Sequence, residues 1–235
     1  MGHRAGSTRL RVEQRLREVR DCIAQVATAS GRSPDVVQLI GVSKGAPVEA
    51  IADAVSAGLE DFGENRVQEA APKVPFIKQR APNPIRWHLI GHLQSNKVRP
   101  ALDLFDELQS VDGLAIALKI SGAANRDIPI FLEVQFAETT GRFGFAPDNV
   151  AEAFDIIAEY PHPSIRGLMT VAPLGLEPDG VRQIFRQLRE IRDRLQESHP
   201  SFGPLGLSMG MTDDYAIAIQ EGATVVRIGR AIFAA

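Results

Sequence analysis

One lysine in this sequence has the position and chemistry of a residue that could form a covalent bond with a ligand. Lys44 directly follows the apolar run LIGVS, so it lies at the end of a predicted strand, above an apolar body. Partial burial there would disfavour the ammonium form. A neutral lysine amine adds to an aldehyde to form an imine. Position alone is weak support for this chemistry, because most lysines at strand ends are solvated.

Two glycine-rich segments have the composition of a phosphate site. In SMGM, Ser208 and Gly210 precede a predicted helix, and in RIGR, Gly229 and Arg230 follow the last predicted strand. Such segments supply backbone N–H groups, a hydroxyl and open access for an anion. Each glycine taken alone also fits a tight turn. Together the two segments predict a phosphate-binding site.

The elements that must position these residues alternate between strands and helices, which is typical of parallel βαβ units. Eight apolar or β-branched runs cover residues 38–44, 61–65, 86–91, 107–112, 129–136, 165–171, 206–210 and 224–229. Helical patterns cover residues 48–57, 66–79, 95–102, 114–124, 148–159, 178–196 and 213–221, and an extra amphipathic helix covers 8–30. This order predicts an α/β fold, a single (β/α)8 TIM barrel with residues 1–235 as one domain. A doubly wound open sheet is the alternative, although no G-x-G-x-x-G follows the first strand.

The predicted barrel brings the lysine and the phosphate site together. Reactive side chains of such barrels lie at the C-terminal ends of the strands, and strand 8 closes against strand 1. A phosphorylated aldehyde would bridge Lys44 and the phosphate site, and pyridoxal 5′-phosphate (PLP) has this structure. Arg227, two residues before Gly229, is the best candidate partner for the pyridine nitrogen. A permanent cation there opposes protonation of the nitrogen, so the ring becomes a weaker electron sink.

A series of sequence blocks resembles the PLP homeostasis protein family over nearly the whole chain. The blocks are GVSK and FGENRVQE within Ile40–Glu69, WHLIGHLQSNK, SVD, GLMTVAP, LSMGMTDD and VRIGRAIF. The resemblance implies a barrel like the N-terminal domain of alanine racemase, which is PLP fold type III. It also implies PLP held as a Schiff base on Lys44, and a role in PLP and amino-acid homeostasis.

The resemblance further implies roles for individual residues. Phosphate contacts are expected from Ser208, Gly210, Gly229 and Arg230. Arg227 is expected to face the pyridine nitrogen, and Asn65 to lie beside the lysine. Expected pocket walls are Met169, His88 and His92, with a structural hydrogen-bonding role as an equal alternative for each histidine. One departure follows strand 5, where the family usually has a lysine-containing stretch and this sequence reads AETTGRFGF (Ala137–Phe145).

Composition limits the classes of partner. With 235 residues, a formal net charge of −3 and no metal-type Cys/His spacing, the chain resembles an ordinary globular protein rather than a nucleic-acid or metal binder. The single cysteine, Cys22, cannot form an internal disulfide. The polar N-terminus has no signal sequence, and no apolar run is long enough to span a membrane. We therefore expect a cytoplasmic monomer, with PLP as ligand and apo PLP-dependent enzymes as candidate partners.

Three functions agree with these residues: a PLP carrier without robust turnover, a PLP-dependent amino-acid racemase or related PLP enzyme, and a Schiff-base aldolase that works without PLP. Racemisation by two bases needs proton donors on both faces of the substrate. The two tyrosines, Tyr160 and Tyr215, lie at or in predicted helices rather than at strand ends. The carrier function is therefore favoured, and no catalytic residue is assigned. If the imine does not form on Lys44, Lys97 and Lys73 are the alternatives.

Overall fold

A closed barrel of eight parallel strands, paired in chain order, forms the centre of the protein. The computed structural model describes residues 2–136 and 143–234. The strands are β1 (Gln38–Val42), β2 (Asp61–Glu64), β3 (Arg86–Leu89), β4 (Glu107–Val111), β5 (Ile128–Glu133), β6 (Pro163–Met169), β7 (Gly206–Ser208) and β8 (Val225–Ile228). Each coincides with one predicted run, so the predicted TIM barrel is confirmed.

Helices surround the barrel and connect its strands. They are α1 (Gly2–Ala29), α2 (Val48–Ser56), α3 (Val67–Lys78), α4 (Val98–Leu104), α5 (Leu114–Ala123), α6 (Val150–Ala158), α7 (Pro178–Ser198), α8 (Tyr215–Gln220) and α9 (Arg230–Phe233). Short 3-10 turns form at Pro34–Val36 and Ser95–Lys97. α7 shows why these segments are helical, because its buried residues recur every three or four positions and form one apolar face.

The strands end a few residues earlier than the sequence pattern predicts, because the last residues of each run already belong to the loops. After β1, Gly45 has a φ of 69°, and after β7, Gly210 has a φ of 97°. This left-handed conformation is open to glycine and turns the chain out of the sheet. α9 was not predicted, since it is only four residues long and leaves too short a periodic pattern to detect.

The extra helix α1 covers the seam where the barrel closes. Its apolar stripe of Val12, Leu16, Val19 and Ile23 is buried. The helix packs against α2, α8 and α9. These are the helices that flank β1 and β8 in the chain, so α1 stabilises the junction between the first and last strands.

The interior of the barrel is unusually polar. Its apolar part is a small cluster of Ile40, Phe131, Met169 and Val225. Several buried polar side chains share the interior with this cluster: Asp61, His88, Gln109, Ser208 and Arg227. Buried charges are costly unless they are paired and hydrogen-bonded, so the contacts among these residues determine how the barrel is filled.

Neither a membrane-spanning helix nor a metal-binding cluster occurs within residues 2–136 and 143–234. No helix in these ranges combines the length and apolar character that crossing a membrane requires. The Cys, His, Asp and Glu side chains of the same ranges form no cluster of three or more that could hold a metal ion.

Candidate functional site

A cavity of about 530 Å³ opens at the C-terminal mouth of the barrel. Five of the eight predicted site residues line it: Lys44, Asn65, Arg227, Gly229 and Arg230. Apolar walls come from strand ends and from residues 172–176 of the loop between β6 and α7. The structure thus brings the predicted lysine, the predicted arginine and the end of β8 to one cavity, as expected for a barrel of this type.

Lys44 lies in the turn after β1, and its side chain is exposed. This corrects the expectation of partial burial: β1 ends at Val42, so Lys44 stands above the rim rather than within the strand. Besides the main cavity, Lys44 lines a second one of about 630 Å³ on the side of Arg66 and His92. Among the described residues, none forms a hydrogen bond or an ion pair with the Lys44 amine, which leaves the amine available to a ligand.

A buried ion pair fixes the backbone just before Lys44. Glu64, the last residue of β2, is fully buried, and its Oε1 lies 2.8 Å from Lys73 Nζ. The Ser43 hydroxyl donates to the same oxygen at 2.7 Å, and Lys73 Nζ also donates to the Ser43 carbonyl at 3.0 Å. Charge-assisted hydrogen bonds of this kind are strong and directional. Lys73, one alternative for the imine, is therefore engaged in holding the turn that carries Lys44.

Arg227 reaches the cavity from below and is almost completely buried, with 3% exposure. Its Nη1 donates to Ser208 Oγ at 2.5 Å, and its Nη2 donates to the carbonyl of Thr170 at 2.9 Å. Burial lowers the pKa of Arg227 to about 10, although the negative charges of Glu133 and Asp214 act against that change. The guanidinium is therefore still a cation at neutral pH, and it is held at the floor of the cavity.

Two predicted site residues lie beneath the cavity rather than in its wall. Ser208 is fully buried, and its hydroxyl donates to Gln109 Oε1 at 2.7 Å while it accepts from Arg227. The phosphate contact expected of Ser208 stays a prediction, because its hydroxyl is engaged by Gln109 and Arg227 here. Met169 was expected as a pocket wall, but it packs in the apolar cluster inside the barrel. Gln109 was not predicted as a site residue. It lies two residues after Glu107 on the same strand, so the two polar side chains point to the same face of the sheet, which is a sign that both face the interior.

Backbone N–H groups near the cavity are available to an anion. Those of Gly210, Gly229 and Arg230 donate to no acceptor within the described part of the chain. Gly210 does not line the cavity but forms the turn after β7, where a Cβ would lie 2.6 Å from the Cβ of Ala218. The Arg230 side chain adds a cation at the mouth, where it is hydrogen-bonded to Asp213. Free N–H groups next to glycines are a common arrangement for binding phosphate.

The two histidines that were expected near the cofactor have different surroundings. His88 lies inside the barrel, with its ring nitrogens 2.9 Å from Asp61 and 2.9 Å from Glu107, so the structural alternative holds for it. His92 lines the second cavity, and its Nδ1 lies 2.5 Å from Asp112 Oδ2. Its ring stacks on Phe143 at a centroid distance of 3.6 Å. Of the departure at Ala137–Phe145, residues 137–142 lie outside the described residues.

Neither tyrosine is placed to serve as a base in the cavity. Tyr215, at the start of α8, is hydrogen-bonded to Cys22 of α1, and burial raises the pKa of its hydroxyl. Tyr160 follows α6 in the connection that leads into β6, so it lies at the N-terminal end of the barrel, opposite the cavity. The geometry is thus poorly suited to two-base racemisation.

Comparison with known sequences gives consistent matches over almost the full length. The profile of the family described as alanine racemase, N-terminal domain, matches residues 16–235. The pyridoxal phosphate homeostasis protein of Aquifex aeolicus is 38% identical over 225 residues, which cover 94% of this chain and 96% of that protein. The pyridoxal phosphate homeostasis protein of Escherichia coli K12 is 36% identical over 230 residues, which cover 95% and 96% respectively.

Solved structures agree with these matches. PipY of Synechococcus elongatus, solved with PLP bound, is 36% identical, with a TM-score of 0.82 over 94% of this chain and 99% of PipY. An unknown protein from Bifidobacterium adolescentis is 32% identical, with a TM-score of 0.90 over 97% of this chain and 96% of that protein. An alanine racemase from Clostridium difficile, at 12% identity and a TM-score of 0.69, shares the fold. The predicted barrel of the alanine racemase N-terminal type is therefore confirmed.

Proposed function

Because this chain belongs to the pyridoxal phosphate homeostasis proteins of the alanine racemase N-terminal domain family, we propose that it holds PLP as a Schiff base on Lys44. In this proposal, the protein takes part in intracellular PLP and amino-acid homeostasis. The observation that supports this most strongly is the Lys44 amine, which has no partner among the described residues and shares a cavity with the buried Arg227 cation. When bound, PLP supplies an aldehyde that condenses with a lysine amine.

In this proposal, the phosphate, the pyridine nitrogen and the ring of PLP each have partners in or beside the cavity. We assign the phosphate to the backbone N–H groups of Gly210, Gly229 and Arg230, which are free to donate. We assign the pyridine nitrogen to Arg227, because that nitrogen accepts a hydrogen bond and the guanidinium can only donate. Asn65 lines the cavity together with the lysine and lies beside the ring in this arrangement.

The same residues support holding PLP rather than using it in a reaction. The Arg227 cation opposes protonation of the pyridine nitrogen, which weakens the ring as an electron sink. Neither Tyr160 nor Tyr215 lines the cavity, so we assign neither as a second base for racemisation. We therefore propose no robust turnover and assign no catalytic residue.

We propose a cellular location and partners for the protein from its composition. A single cysteine and a formal net charge of −3 are compatible with a cytoplasmic protein that binds neither nucleic acid nor membranes. We propose a monomer with residues 1–235 as one domain, and apo PLP-dependent enzymes as candidate recipients of the cofactor.

The direct test of the proposed function is Lys44→Ala, compared with Lys97→Ala as a matched control. Lys97 lines the neighbouring cavity of about 630 Å³ but not the cavity that contains Arg227. Lys97→Ala therefore removes one positive charge, as Lys44→Ala does, but leaves the proposed imine intact. Each protein is incubated with PLP, reduced with borohydride and digested, and the labelled peptide is identified by mass spectrometry. Both variants should fold, because neither lysine is buried.

We expect the wild type and Lys97→Ala to show the visible absorbance of an imine and a pyridoxyl label on Lys44. Lys44→Ala should lose both signals. Persistence of the absorbance in Lys44→Ala would move the imine to another lysine, and a wild type that takes up no PLP would refute the proposal as a whole.

A further inference from the structure

A chain of hydrogen bonds leads from the floor of the cavity into the barrel. Arg227 Nη1 donates to Ser208 Oγ at 2.5 Å, and Ser208 Oγ donates to Gln109 Oε1 at 2.7 Å. Gln109 Nε2 then donates to Glu107 Oε1 at 2.7 Å. Ser208 and Gln109 are both completely buried, so water does not compete for these contacts. The chain therefore connects β8, β7 and β4 across the interior of the barrel.

Beyond Glu107 the chain continues to the opposite mouth of the barrel. Glu107 Oε1 also contacts His88 Nδ1 at 2.9 Å, and His88 Nε2 contacts Asp61 Oδ1 at 2.9 Å. Asp61 Oδ2 accepts from Arg86 Nη2 at 2.9 Å. More than half of the Arg86 side chain is exposed at the N-terminal rim. Glu107 is thus held in place by contacts of its own.

The carboxylate of Glu107 determines the direction of every hydrogen bond between it and Arg227. A carboxylate only accepts, so the NH2 group of Gln109 must face it. The carbonyl oxygen of Gln109 then faces Ser208 and takes the proton of the hydroxyl. A lone pair of the hydroxyl is left to face Arg227, which can only donate.

We propose that Gln109 is a positioning residue that holds Arg227 in place for the pyridine nitrogen of PLP. Gln109 does not line the cavity and acts through Ser208. With Ser208 as acceptor, the guanidinium is fixed at two points, the second being the carbonyl of Thr170. Without Gln109 to accept its proton, the Ser208 hydroxyl can rotate, and its lone pair is no longer held toward Arg227. The inference rests on the proposed function, in which PLP occupies the cavity.

The test is Gln109→Met, which keeps the side-chain length but removes both hydrogen bonds of the amide. We expect the dissociation constant for PLP to rise about tenfold, which corresponds to the net loss of one hydrogen bond to a charged group. Gln196→Met is the matched control, because Gln196 also uses both ends of its amide, toward Phe202 and Leu205, but lies on α7 outside the barrel. Its affinity for PLP should equal that of the wild type.

A PLP analogue with C–H in place of the ring nitrogen separates positioning from general damage to the fold. Gln109→Met should bind this analogue as well as the wild type does, because Arg227 makes no hydrogen bond to it. In an Arg227→Met background, Gln109→Met should likewise cause no further loss of PLP affinity. Ser208→Ala, a smaller change, should reproduce both results if Gln109→Met does not fold.

Equal weakening toward PLP and the analogue would overturn the inference, because Gln109 would then act only through the stability of the barrel. Unchanged PLP affinity in a folded Gln109→Met would also overturn it, whatever Ser208→Ala shows. If the wild-type protein binds no PLP, the proposed function fails and this inference fails with it. That result is distinguishable from the two above, in which the wild type binds PLP.

Discussion

His88 should make the stability of the protein depend on pH in a range where most proteins change little. Its ring lies between Asp61 and Glu107 inside the barrel, 2.9 Å from each carboxylate. Burial by itself would lower the pKa of His88, but the hydrogen bonds to Asp61 and Glu107 outweigh it and raise the pKa to about 9. The folded protein therefore holds an imidazolium that the unfolded chain releases at a lower pH.

The magnitude follows from the difference between the folded value of about 9 and the ordinary value of 6.5. At about 1.4 kcal/mol per pKa unit, this difference is worth roughly 3 kcal/mol of folding free energy. The contribution is complete below the unfolded pKa, where both states are protonated. It declines as the pH rises from 6.5 and is lost once the pH passes the folded value near 9, because the unfolded chain binds fewer protons throughout that interval.

The assay is urea unfolding of wild type and His88→Gln without PLP, at several pH values from about 6 to 10. His88→Gln should be destabilised at every pH, because Asp61 and Glu107 lose the imidazolium that lies between them. The informative quantity is the difference in free energy of unfolding between the two proteins, which should shrink by roughly 3 kcal/mol across the series. His199→Gln is the control, because His199 also contacts a carboxylate, that of Asp155, but on the surface.

A difference between wild type and His88→Gln that stays constant with pH would refute this reasoning. It would mean that His88 is neutral in the folded state and that the two carboxylates share a proton instead. If the difference in free energy of unfolding between wild type and His199→Gln also shrinks with rising pH, the effect belongs to surface histidines in general.

Other substitutions test the parts of the site separately. Gly210→Ala should destabilise the fold by about 2 kcal/mol or more and weaken PLP binding, because a Cβ meets Ala218 at 2.6 Å and φ is 97°. Thermal unfolding and PLP titration measure these two effects. An unchanged melting temperature would contradict the prediction. Glu64→Leu should cost about 3 kcal/mol, because Lys73 and Ser43 lose a buried acceptor. Glu69→Leu removes a half-buried carboxylate 3.8 Å from the exposed Arg66. It should change the free energy of unfolding by less than about 1 kcal/mol, and equal losses in the two variants would argue against the role of Glu64.

The sequence predicts the barrel well because each strand leaves a local pattern. Apolar runs between loop residues locate all eight strands, and the 3.6-residue period locates the long helices such as α7. The ends of the strands are less predictable. At Val42, for example, the chain leaves the sheet because of the turn at Gly45, and the apolar pattern gives no sign of it.

The site is predictable where chemistry dictates the residue type, as for Lys44, Arg227 and Gly229. It is unpredictable where the direction of a side chain decides the role. Ser208 lies in the expected block, but its hydroxyl faces Arg227 and Gln109 instead of the cavity. That direction depends on a residue 99 positions away in the sequence, so no local pattern encodes it.

The exposure of Lys44 has a kinetic consequence for the release of a bound cofactor. A covalent bond at an exposed turn, bordered by cavities on more than one side, can be reached by water and by small amines without any opening motion of the barrel. If PLP is bound there as proposed, its lifetime on the protein would depend on the concentration of competing nucleophiles in solution.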